Sequence, residues 1–397
     1  MTYNLQRYIP RRLATELRDS LNSFPITALL GPRQCGKSTL AKHIVRDCEN
    51  TVYLDLERPS DLRKLEDAEF FFHTQRDKLI CIDEVQMGQQ LFPVLRVAVD
   101  DNRKPGRFLI LGSASQELIR QSSETLAGRI HFIELAPFSY DEMIAENPAL
   151  YADPVLMWTR GGFPDALLIA NETHSFQWRT DFIRTFLERD IPQFGFSIPA
   201  VTMRRFWTML AHYHGQLLNH SKLAQSLGVS HPTIRKYLDI MAQTFMVRIL
   251  PPFIANIKKR LVKSPKVYLR DSGILHALLE IEDTEDLLGH PIAGASWEGW
   301  CLEQILAVMP GWRASFYRTA SGEELDLVLE RGRRRLAFEF KSSVAPKVSR
   351  GFSGTLELLE PDHVWIVAPV HEAYHKSQGV TVSPIKEILD DLVHNRF

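Results

Sequence analysis

Cysteine is scarce in this chain. Cys35, Cys48, Cys81 and Cys301 are the only four in 397 residues, and no two form a C-x-x-C pair. That scatter argues against a disulfide framework and a structural zinc, and places the expected home of the protein in the reducing cytoplasm. Long apolar runs are missing as well. No stretch nears the roughly 20 residues of a membrane span, and the opening residues Met1 to Tyr8 carry no apolar leader core. Overall charge is almost absent, −1 from 47 basic and 48 acidic residues, so neither a uniformly basic nor a uniformly acidic protein is in view. The shortage that informs most is local. From Val201 to Arg270 the single acid is Asp239, against twelve Lys and Arg, a balance of +11. A basic middle between acidic flanks points to a polyanion partner, with double-stranded DNA the expected one. The length is too great for one ordinary core, so several domains are expected. Internal repeats and low-complexity tracts are not seen.

Against these absences stands one dense motif. Residues 31–39 read Gly31-Pro32-Arg33-Gln34-Cys35-Gly36-Lys37-Ser38-Thr39 and contain the full G-x-x-x-x-G-K-[ST] pattern. A triphosphate needs several backbone N–H donors packed closely, which glycine allows because it lacks a Cβ and tolerates positive φ. Lys37 can reach the β- and γ-phosphates, and Ser38 can hold Mg²⁺. The apolar run 26–30 precedes the loop as a strand, and residues 39–45 continue as a helix whose positive end faces the phosphates. The expected ligands are ATP and Mg²⁺.

Strand-like and helix-like stretches then alternate. Strands are predicted at 26–30, 51–56, 78–84, 107–113 and 130–135, giving a parallel sheet with helices on both faces. Asp83 ends an apolar strand, where its burial is costly unless a cation meets it. It is assigned to Mg²⁺ through water, and Glu84 beside it to the general base that polarises the attacking water. Ser113 closes the next strand and is placed at the γ-phosphate or the water, with Ser115 as its near rival. Arg129, directly before the fifth strand, is the candidate to reach a neighbouring copy's nucleotide in a homo-oligomer. Arg120 is the alternative.

The basic middle carries a second pattern. Leu223, Ala224 and Leu227 are helically spaced, Gly228 breaks the helix, and Ser230 is an N-cap for the next one. This is a helix-turn-helix plan. Its second helix exposes His231, Thr233, Arg235 and Lys236, residue types suited to base edges and phosphates. Strand-like pieces at 245–250 and 266–269 fit a β wing with Lys258, Lys259 and Arg260 at its tip. A wing used only for protein contact remains the rival reading.

Near the C-terminus, Glu298 lies on a predicted helix, Asp326 on a strand, and Glu339-x-Lys341 at the end of the next strand. Period-two geometry puts Glu339 and Lys341 on one face. Carboxylates with a lysine are what metal-assisted phosphodiester hydrolysis uses, with Asp326 and Glu339 as the expected metal ligands.

These orders carry resemblances. Phosphate loop, inserted strand, Asp83-Glu84, the Ser113 strand and Arg129 resemble the AAA+ class of P-loop ATPases. Residues 137–142 and Arg160-Gly161-Gly162-Phe163-Pro164 look like the lid region of prokaryotic members related to signal-transduction NTPases, with Arg160 either a lid arginine or, the preferred reading, a structural one. The C-terminal positions resemble the PD-(D/E)XK nuclease superfamily, although Leu325 stands where a proline usually precedes the aspartate. Together with LAGRI at 126–130, GGFPD at 161–165, LERDIP at 187–192, HGQLLN at 214–219 and VYLRDSGILHALL at 267–279, the chain is similar to a large prokaryotic family of AAA-type ATPases. The resemblance implies an α/β fold: an ATPase core over 1–140, a helical lid and linker over 141–200, a winged helix over 201–270, and a nuclease-like domain over 271–397. The function it implies is ATP binding and hydrolysis coupled to the DNA-binding and nuclease-like modules. An ATP-gated nuclease and a non-enzymatic ATP-bound switch are the alternatives.

Overall fold

The computed structural model describes residues 8–46, 48, 50–88, 90–114, 126–253, 261–348 and 351–397. Ser115, Arg120, Lys258, Lys259 and Arg260 lie outside the described residues. The chain divides into two compact units, one built from residues 4–138 with 243–246, the other from 139–242 with 247–397.

In the first unit five short strands form one sheet: β1 (Ile26–Leu30), β2 (Thr51–Asp55), β3 (Leu79–Asp83), β4 (Phe108–Gly112) and β5 (Ile130–Glu134). Their order is β2-β3-β4-β1-β5, and every pairing is parallel. Both faces of the sheet are covered, so β1 and β4 are apolar nearly throughout rather than alternating. Ile26, Ala28 and Leu30 point into a core with Phe72, Phe92, Leu95 and Val99. Leu29 points the other way, to Leu17, Leu21, Leu40 and Ile44. In a parallel sheet the strands' C-terminal ends share one edge. That edge brings the residues after β1, β3 and β4 together.

The second unit opens with helices. Val155–Arg160 ends at Gly161, which has a φ of 79°, and Pro164 starts the next helix at its first position, where its missing N–H costs nothing. Asp271 closes this turn from afar. One carboxylate oxygen accepts the Gly162 N–H at 2.8 Å and the other the Ile274 N–H at 2.9 Å, capping the helix Ser272–Leu278. The GGFPD and DSGILHALL stretches thus meet at one half-buried side chain.

Further along come the helix Ala200–His212, strand β6 (Gln216–Leu217), helices His220–Leu227 and His231–Gln243, and strands β7 (Val247–Leu250) and β8 (Lys266–Leu269). The strands form an antiparallel sheet with β8 in the middle. Gly228 ends the first helix of the pair in a left-handed conformation, and Ser230 Oγ accepts the Thr233 N–H at 3.3 Å. The helix Ala293–Val308 leads to a six-stranded sheet. Its strands are β9 (Arg313–Arg318), β10 (Glu324–Arg331), β11 (Arg334–Phe340), β12 (His363–Val367), β13 (Tyr374–Ser377) and β14 (Val380–Ser383). The order is β13-β14-β12-β11-β10-β9, antiparallel over β9-β10-β11 and parallel over β11-β12-β14. Among the described residues no helix is long and apolar enough to cross a membrane.

Candidate nucleotide site

The loop after β1 is shaped by close contact. A Cβ on Gly31 would lie 2.1 Å from the Leu135 carbonyl oxygen, which leaves room for glycine alone. Gln34 and Gly36 take positive φ, 63° and 100°, the backbone alternation that curls successive amides toward a common centre. Lys37 is 4% exposed. Its ammonium donates to the Gly31 carbonyl at 2.9 Å, the Pro32 carbonyl at 2.8 Å and Ser113 Oγ at 3.2 Å. All three partners are uncharged. A buried cation held by neutral acceptors is a ready receptor for an anion.

The ends of β3 and β4 complete the site. Ser113 Oγ, while accepting from Lys37, donates to Glu84 Oε2 at 3.2 Å. Glu84 has a φ of 55° and also accepts from the Gln86 amide. Left-handed backbone at a non-glycine residue costs about 1–3 kcal/mol, and here it turns the carboxylate toward Ser113. Asp83 is 5% exposed. Its Oδ2 accepts the Tyr53 hydroxyl and its Oδ1 the Glu84 N–H at 3.0 Å. Burial pushes the Tyr53 phenol far up, its bond to Asp83 pushes it further, and the Ser38 hydroxyl beside it pulls the other way. Tyr53 is thus bonded to the aspartate expected at Mg²⁺. The donor set fits the ion: a buried carboxylate held by the Tyr53 phenol, and the Ser38 hydroxyl at the start of the helix after the loop.

Other expected residues are placed as follows. Arg33 pairs with Glu57 at 2.8 Å. Cys35 is fully buried, its thiol on the Leu135 carbonyl at 3.4 Å. Arg129, the candidate to reach a neighbouring copy's nucleotide, is paired within its own chain. It forms a two-pronged pair with Asp100, 2.7 and 3.0 Å, because an aspartate on the neighbouring helix offers matched geometry. Arg160 also turns inward. It is buried, donates to the Ile169 carbonyl at 2.6 Å and lies 3.6 Å from Glu172, so it ties the end of its helix to the two helices that follow.

His231, Arg235 and Lys236 are exposed on the helix His231–Gln243, while the Thr233 hydroxyl is engaged with Ser230 at 2.8 Å. Three of the basic residues counted with them are paired to acids. Arg248 and Arg270 grip Glu303. Burial pushes Glu303 up, but the two guanidinium groups outweigh it and the net direction is down.

Lys266 is the third, and it alters the expected C-terminal metal site. Glu298, Asp326 and Glu339 do come near one another, and Lys341 pairs with Glu339 at 2.6 Å. Among the described residues, however, no three His, Cys, Asp or Glu form a set open to a metal ion. The Lys266 ammonium lies 3.0 Å from Glu298, 2.7 Å from Glu324 and 3.6 Å from Asp326. Burial alone would push the lysine down, and the surrounding carboxylates more than reverse it. Burial and the Asp326 charge push both Glu298 and Glu339 up.

The chain's relatives can now be set beside this geometry. Residues 23–144 match the family model described as AAA domain. Residues 153–285 and 293–388 match two described as domains of unknown function, DUF8612 and DUF4143. The uncharacterized protein Rv2008c of Mycobacterium tuberculosis is 42% identical over 379 residues, 96% of this chain and 84% of that protein. Mb2031c of Mycobacterium bovis aligns with the same figures. The chain belongs to their family. Among solved structures, the Walker-type ATPase PABY2304 of Pyrococcus abyssi is 13% identical with a TM-score of 0.49, covering 68% of this chain and 96% of that one.

The AAA match and the parallel sheet with its phosphate loop give the first unit an AAA-type P-loop ATPase fold. In this member of the family, two contributors escaped the sequence reading. Tyr53 is one; a tyrosine inside a strand gives no local sign of the aspartate it will meet on the next strand. Arg11 is the other. It is buried, and its guanidinium donates to the Cys35 carbonyl at 2.9 Å and to the Ala136 and Pro137 carbonyls at 2.7 and 3.1 Å, tying the loop to the segment after β5.

Proposed function

We propose that this protein is a Mg²⁺-dependent ATPase whose nucleotide state is coupled to a DNA-binding winged helix. The observation that carries the ATPase reading is the Ser113 hydroxyl between the Lys37 ammonium and the Glu84 carboxylate. It links a phosphate-binding cation to a base on the adjacent strand, as attack on a γ-phosphate requires. The backbone N–H groups of the 31–39 loop, where Pro32 supplies none, and Lys37 bind the phosphates. Ser38 and Asp83 hold the metal, whose charge, when bound, neutralises that developing on the phosphate oxygens. Glu84 accepts the proton of the attacking water, and Ser113 fixes the carboxylate's direction.

The order helix, strand, two helices and two antiparallel strands supports a winged helix over residues 201–270. Exposed Lys222, His231, Arg235 and Lys236 support contact with double-stranded DNA. The helix bearing Glu298, followed by three antiparallel strands and a parallel one, supports a nuclease-like fold for residues 271–397. The segment 141–200 is then the lid and linker.

Phosphate release by purified wild type and Glu84→Gln, with and without DNA, tests this. The variant should bind ATP yet turn over about 10²–10⁴-fold more slowly. Equal rates would remove Glu84 as the base. No release by wild type under any condition would favour an ATP-bound switch that does not hydrolyse.

A further inference from the structure

The acidic cluster of the second unit already contains a cation. Lys266 sits on β8, the central strand of its sheet, paired to Leu217 on one side and Leu250 on the other. Its backbone is therefore fixed from both sides. The side chain is 3% exposed. Its ammonium is shared among Glu298 from the helix Ala293–Val308 and Glu324 and Asp326 from β10, with the Phe316 ring 5.6 Å below. Tyr268, two residues along and on the same face of β8, donates its hydroxyl to the same Glu298 oxygen. The remaining acceptors are mostly committed too. Asp326 Oδ2 takes the Phe340 N–H at 3.0 Å, Glu324 Oε2 lies 3.2 Å from Arg318, and Glu339 Oε1 takes Lys341. Of the carboxylate oxygens of Glu298, Glu324, Asp326 and Glu339, Glu339 Oε2 is buried with no hydrogen-bond partner among the described residues.

A divalent ion binds carboxylate oxygens at about 2.0–2.6 Å, and to do so here it would use the oxygens that Lys266 holds. Two cations cannot share that position, since their repulsion at such range in a dry site far exceeds any contact energy. Removing all cations is equally unfavourable, because three carboxylates would be left close together.

We propose that Lys266 stands in for a metal ion, so that the nuclease-like cluster is closed to divalent cations and serves instead as the receptor that docks β8 onto the C-terminal sheet. The sequence spacing that resembles a metal site is thereby used for holding two modules together. This inference does not depend on the ATPase reading, and failure of nucleotide binding would leave it standing.

The test is titration of the nucleotide-free full-length protein with Mn²⁺, followed by calorimetry and by loss of the free-ion electron paramagnetic resonance signal. Wild type should show no saturable site that Asp326→Asn removes. Lys266→Met keeps the apolar stem and frees the oxygens. It should gain one saturable site at least tenfold tighter than any wild-type binding, and Lys266→Met with Asp326→Asn should lose it. A folded Lys266→Met that gains no site would overturn the proposal. So would a wild-type site abolished by Asp326→Asn. That second comparison uses no Lys266 variant, so it decides the matter even if Lys266→Met does not fold.

Discussion

Replacing Lys37 with methionine should separate the two things this lysine does. In the empty protein its ammonium makes three hydrogen bonds to neutral oxygens at 2.8–3.2 Å, each contributing about 1.5–3 kcal/mol because the donor is charged. Against that stands the cost of keeping a cation dry, several kcal/mol after relaxation. The methionine retains the buried stem. The opposing terms are of similar size, so the unliganded variant should unfold within a few degrees of wild type or above it. With nucleotide the balance changes. Losing two charge-assisted bonds at about 1.5–3 kcal/mol each weakens binding by about 10²-fold or more. At a ligand concentration 100 times the wild-type Kd, binding stabilises by about 2.7 kcal/mol, and a hundredfold weakening leaves about 0.4 kcal/mol. At roughly 3 °C per kcal/mol for a unit of this size, the nucleotide-induced rise in Tm should fall from about 8 °C to about 1 °C. Scanning calorimetry with Mg²⁺ and a non-hydrolysable ATP analogue reads both numbers. A variant that keeps most of the ligand shift refutes the phosphate role. One that unfolds far earlier without ligand refutes the claim that its loop contacts are energetically neutral.

Other outcomes follow from single contacts. Gly273→Ala puts a Cβ 2.0 Å from the Arg160 carbonyl oxygen and 2.9 Å from the Gly161 nitrogen. It should lose about 1–3 kcal/mol in urea unfolding, whereas Gly354→Ala, in a helix with open space around it, should gain up to about 1 kcal/mol; equal effects would contradict the packing. His276, between the Thr159 carbonyl at 2.8 Å and Ser296 Oγ at 2.7 Å, has its pKa pushed down to about 3 by burial. Between that value and 6.5 the unfolded chain binds the extra proton, so its neutral form supports stability fully above pH 6.5 and the support fades as pH falls. His276→Asn should flatten the acid limb by about 1.4 kcal/mol per pH unit in this window, and an unchanged slope would count against the neutral buried ring. Arg235→Ala with Lys236→Ala should lower the salt slope of DNA binding by about 1 to 2; an unaltered slope would move the contact elsewhere.

The five strands of the first unit were legible nearly to the residue, because each is a short apolar run bounded by polar or turn residues, and a parallel sheet covered on both faces requires such runs. The convergence of Lys37, Glu84 and Ser113 was legible for a related reason: residues at the C-terminal ends of parallel strands share an edge wherever the helices run. Tyr53, Arg11 and Lys266 were not, because each acts on a partner 24 or more positions away and carries no local pattern. The charge count has the same limit. A surplus of +11 along 70 residues says nothing about direction, and Arg248, Lys266 and Arg270 spend their charge on acids of the following domain. The Arg129–Asp100 pair was not legible either, because Asp100 lies 29 positions earlier on a helix whose facing could not be known.

The grip of Arg11 on Cys35, Ala136 and Pro137 bears on how the ATPase half can be isolated. A fragment trimmed to the matched span 23–144 would discard that guanidinium along with the helix Leu13–Ser23, whose Leu17 and Leu21 line the core beneath β1. The loop would keep every residue of its signature and lose the strut that sets its shape, so a silent fragment of that length would report on the cut and not on the chemistry.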